Sequence, residues 1–97
     1  MIKIPYIKQE DRNSLDALIF QLDCKMAEFH QQDKLEIGQI NYIVTKLLGH
    51  YITLKGKSYK VFNECVGVLE CAKLEMYRQQ IAKYENEKRK INGDVYT

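Results

Sequence analysis

Seven residues in the C-terminal third carry groups that could bind or react: Tyr59, Glu70, Lys73, Tyr77, Arg78, Tyr84 and Lys88. Tyrosine rings stack on flat heterocycles, and lysine or arginine neutralises phosphate, so this set has the chemistry a nucleotide-like ligand needs. The same residues on one helix face are equally the makings of a subunit interface, where amphipathic aromatic side chains are enriched. A carboxylate pair for acid–base work is absent from this set. Glu70 and Glu75 are five residues apart, which separates them by about 140° around a helix, so a two-carboxylate mechanism would need a second segment. A hydrolase using either with a histidine ranks behind both binding readings.

His30 and His50 have no Ser, Cys or carboxylate at a spacing that defines a triad or a metal site. Cys24, Cys65 and Cys71 are odd in number, with no CxxC or Cys/His ligand pattern, which argues against a disulfide framework or zinc. The five glycines are isolated, so no loop is built to cradle phosphate. The expectation is a protein that is not an enzyme, with no cofactor, no metal and no catalytic residue.

Composition agrees. Ninety-seven residues make one domain, 1–97, and a net charge of +2 is too small to imply nucleic acid by itself. No secretory leader is evident at Met1–Pro5 and no run is long enough to span a bilayer, so the expected place is the cytoplasm.

These side chains must be positioned by helices. Leu15, Leu18, Ile19, Leu22, Met26 and Phe29 recur at helical spacing and predict a helix over about 14–30, with Asn13 as its N-cap after a turn at Gln9–Arg12. Ile37, Ile40, Ile43, Val44, Leu47, Leu48 and Tyr51 predict a second helix over about 36–54. Ser58 caps a third, which runs to about Ile91 before the stop signal Asn92–Gly93. Residues Ile2–Ile7 and Asp94–Thr97 read as short extended segments able to pair. The fold class is therefore all-α, a three-helix bundle with a long C-terminal helix.

At 100° per residue the third helix carries two seams. Phe62, Cys65, Leu69, Ala72 and Met76, flanked by Val61 and Val68, should pack on the first two helices as a core. Tyr59, Asn63, Val66, Glu70, Lys73, Tyr77, Ile81, Tyr84 and Lys88 form the second, at three–four spacing. The helix would run about 50 Å, whereas a compact domain of this size is about 32 Å across. An overhang of that kind predicts a homo-oligomer, with Phe20 and Tyr42 as further exposed contact residues.

Four stretches carry a resemblance: Pro5–Arg12 (PYIKQEDR), Asn41–Leu48 (NYIVTKLL), Gly67–Arg78 (GVLECAKLEMYR) and Asn92–Tyr96 (NGDVY). Together they resemble a family of short uncharacterised proteins, a domain of unknown function carried by bacteriophages and bacterial genomes. The resemblance covers nearly the whole chain and implies a phage or prophage context, with no activity attached. In that context, small proteins that counter host immunity often assemble and hold a nucleotide messenger between subunits. Two functions follow as expectations. One is a phage accessory protein acting as a protein-interaction or assembly module; the other is an anti-defence sponge for a nucleotide immune messenger, using the tyrosine and lysine seam. Partners expected are a second copy, a host or phage protein, or a nucleotide-like small molecule, with no membrane and no nucleic acid.

Overall fold

A computed structural model describes residues 7–93; the expected extended segments, apart from Ile7, lie outside the described residues. The protein is all-α, with three helices, no strand among the described residues, and a long last helix of 34 residues. Helix α1 is Gln9–Gln31 and α2 is Ile37–Lys55. Helix α3 is continuous through Tyr59–Met76, a π-helical turn at Tyr77–Ile81, and Ala82–Asn92. The chain divides into two units between Val44 and Thr45.

In the first unit, α1 starts one turn earlier than the residue pattern predicts. Asn13 is inside the helix and is not its cap; that place falls to Lys8, whose side chain makes no capping bond. What sustains the extra turn is Glu10 and Asp11 beside the positive helix end. Arg12 adds a tie back to the chain outside, donating through Nε and Nη2 to the Ile7 carbonyl at 3.3 and 3.2 Å. The stop is a Schellman motif. Lys34 N–H donates to Phe29 O at 2.8 Å and Asp33 N–H to His30 O at 3.0 Å, with Asp33 in the left-handed region at φ 57°. Helix α2 opens on half of a capping box: the Gln39 side chain accepts from Glu36 N–H at 2.9 Å. Phe20 and Tyr42 are exposed, at 66% and 65%.

In the second unit, Ser58 caps α3 as its sequence position predicts, with Oγ accepting from Val61 N–H at 3.1 Å. The helix passes Gly67 without a break. It ends where Gly93 takes φ 86° and donates to Arg89 O at 2.8 Å. The core falls short of the predicted seam. Among the described residues only Val61 and Cys65 are buried, whereas Phe62, Leu69 and Met76 keep 41%, 47% and 53% of their surface. The apolar side chains of α3 are thus spaced for burial but left uncovered along most of the helix. Cys24 and Cys71 are exposed, and the buried Cys65 acts as a small packing residue.

Candidate functional site

Tyr59, Glu70, Lys73, Tyr77, Arg78, Tyr84 and Lys88 all lie on α3, and all are exposed. The helix strings them out: Tyr59 and Tyr77 are 18 residues apart, about 27 Å along the axis. They form a strip with local pairs. Lys73 Nζ stands 3.2 Å from Glu70 Oε1, and Arg78 Nη2 donates to Glu75 Oε2 at 2.9 Å. Gln79 Nε2 reaches the other Glu75 oxygen at 3.4 Å, and Lys83 Nζ donates to Gln79 Oε1 at 3.3 Å. Exposed pairs of this spacing contribute only tenths of a kcal/mol each, so they lend helix support and fix side-chain placement more than they add stability. Lys88 Nζ sits over the Tyr84 ring, 5.4 Å from its centroid. That contact joins an aromatic face to a cation, at a typical strength of about 0.5–1 kcal/mol in the open.

The π-helical turn changes which residues share a face. Ala82 N–H donates to Tyr77 O, an i to i+5 bond that inserts one residue into the helical path. Every residue beyond it is offset by about 100° from a straight helix. Tyr77 and Tyr84 would stand about 20° apart in a straight helix; across this turn they stand about 120° apart. The second seam predicted from uniform spacing is therefore two pieces. Tyr59, Glu70, Lys73 and Tyr77 keep one line, while Ile81, Tyr84 and Lys88 move onto the line of Phe62, Leu69 and Met76. No local residue pattern announced this turn, because an inserted residue leaves propensity unchanged and shows only when the apolar period is followed across it.

One further polar contact escaped the sequence. The Tyr51 hydroxyl of α2 donates to Glu64 Oε2 of α3 at 3.3 Å. Partial burial, then the Glu64 charge and hydrogen bond and the neighbouring Cys65, push the Tyr51 phenol above its ordinary 10.0. The carboxylates Glu70 and Glu75 pair with Lys73 and Arg78 of their own helix. Among the described residues no group of three or more His, Cys, Asp or Glu side chains is placed to hold a metal ion. No described helix is long and apolar enough to cross a membrane.

The long last helix of this all-α protein thus presents an exposed aromatic and basic strip. The chain belongs to a family defined by a domain of unknown function, DUF6899, whose model matches residues 4–95. No curated protein and no solved structure matches it.

Proposed function

We propose that this chain is a small non-enzymatic, homo-oligomeric binding protein that works as a protein-interaction or assembly module, as a phage or prophage accessory protein in the host cytoplasm. One observation carries the reading. Large apolar side chains at helical spacing stay exposed in α3, including Phe62 at 41%, Leu69 at 47% and Met76 at 53%. Leaving such a stripe in water forfeits on the order of 25 cal/mol for each Å² of apolar surface, and contiguous patches of this kind mark interaction surfaces. The test is the solution mass by light scattering across a hundredfold range of concentration. Assembly is expected at micromolar chain; a monomer throughout overturns the reading.

A second reading rests on the Lys88–Tyr84 contact, with Arg78 and Lys73 as further cations of the same helix. Under it the assembled protein is a sponge that holds a nucleotide messenger between subunits, with tyrosine stacking on the base and the cations meeting phosphate. Cyclic dinucleotides and ADP-ribose derivatives are the probes. A sponge gives a large thermal shift with one of them and returns it chemically unchanged; an interaction module gives none.

A further inference from the structure

The π-helical turn of α3 decides which line the apolar residues beyond it continue. Were the helix straight, the line of Phe62, Leu69 and Met76 would continue through Gln80, Lys83, Glu87 and Lys90, all polar. With one residue inserted at Tyr77–Ile81, the same line continues through Ile81, Tyr84, Lys88 and Ile91. Ile81 keeps 39% of its surface, Tyr84 59% and Ile91 75%. Backbone and sequence agree on a single apolar seam, and the inserted residue is what joins its halves.

We infer that the π-helical turn is a register device: it aligns Phe62, Leu69, Met76, Ile81, Tyr84 and Ile91 into one continuous face that docks against a second copy of this chain. The occupant follows from length. From Phe62 to Ile91 the face runs about 43 Å, whereas α1, with 23 residues, spans about 35 Å and α2, with 19, about 29 Å. Neither covers the face alone. A second α3, at about 50 Å, does so along its whole length, and a two-fold pairing sets the same face on both sides. At about 150 Å² or more for each large side chain, the six exposed groups offer roughly 500 Å² per copy. Flanking residues bring that close to the roughly 800 Å² per partner of a stable interface. Lys88, with its ammonium over Tyr84, has an apolar stem to lay along the rim of the face while its charge stays in water.

This inference rests on the self-association proposed above, and its test separates the two. Inserting one alanine after Gln80 rotates Ile81–Asn92 by about 100° off the seam; deleting Gln80, which lets the helix run straight with Ile81 in its place, keeps them on it. Sedimentation equilibrium is run on both and on the unaltered protein, with far-ultraviolet circular dichroism to follow helicity. The insertion is expected to dissociate at least tenfold more readily than the Gln80 deletion. If the unaltered chain is monomeric, self-association itself fails. If the unaltered chain assembles and the insertion assembles equally well, the register device fails while self-association stands. Should the insertion not fold, Tyr84→Ser and Ile91→Ser are compared with Lys83→Ser and Glu87→Ser. The first pair is expected to weaken assembly at least tenfold and the second pair less than threefold; equal effects overturn the inference.

Discussion

The Tyr51 hydroxyl donates to the Glu64 carboxylate at 3.3 Å, linking the last turns of α2 to the start of α3 beside the buried Cys65. Because the phenol is pushed up in the folded chain, folding favours its protonated form. The stability this gives is fully present below the ordinary value of 10.0 and is lost as pH rises through the folded value. Urea unfolding between pH 8 and pH 11 should therefore show the unaltered protein losing more stability than Tyr51→Phe, which lacks the titrating group. Parallel pH profiles would dismiss the contact as inconsequential.

Asp33 holds the left-handed position that closes α1, at φ 57°. A side chain there strains against its own carbonyl, and glycine does not. Asp33→Gly should stabilise the protein by about 0.5–1 kcal/mol, and Asp33→Val should destabilise it by a similar amount or more. Thermal or urea unfolding of the three proteins decides the matter.

Gly67 lies inside α3, and a Cβ added there meets nothing within 4 Å. Replacing an exposed mid-helix glycine by alanine gains about 1 kcal/mol. Gly67→Ala should raise both the helix signal and the unfolding midpoint while leaving the solution mass unchanged. A loss of assembly would show instead that a partner approaches the backbone at this point.

Ser58 caps α3 through its bond to Val61 N–H. Its loss in Ser58→Ala should cost about 1 kcal/mol, and Ser58→Asp should recover most of it. Since the cap lies beside the buried Val61, both effects belong to global unfolding, and circular dichroism melts suffice to measure them.

Much of this architecture was legible in the residues. The three-four spacing from Leu15 to Phe29 and from Ile37 to Tyr51 marks two helices, and Ser58 with Gly93 brackets the third, because caps and period are local properties of the chain. The exposure of Phe20 and Tyr42 follows from the same wheels. Local physics also misled at one end: a plausible cap at Asn13 lost to Glu10, Asp11 and the Arg12–Ile7 tie, which together sustain one more turn.

What the sequence by itself determined, then, is helix content, helix order and the apolar period of each face. Only the three-dimensional structure decided the one-residue offset at Tyr77–Ile81, the Tyr51–Glu64 contact and the retreat of the core to Val61 and Cys65. The reason is physical. An i to i+4 bond and an i to i+5 bond draw on the same donors and acceptors with nearly the same dihedrals, so residue preference does not separate them. The choice is made by what the face beyond the turn must line up with, and burial likewise depends on which surfaces meet.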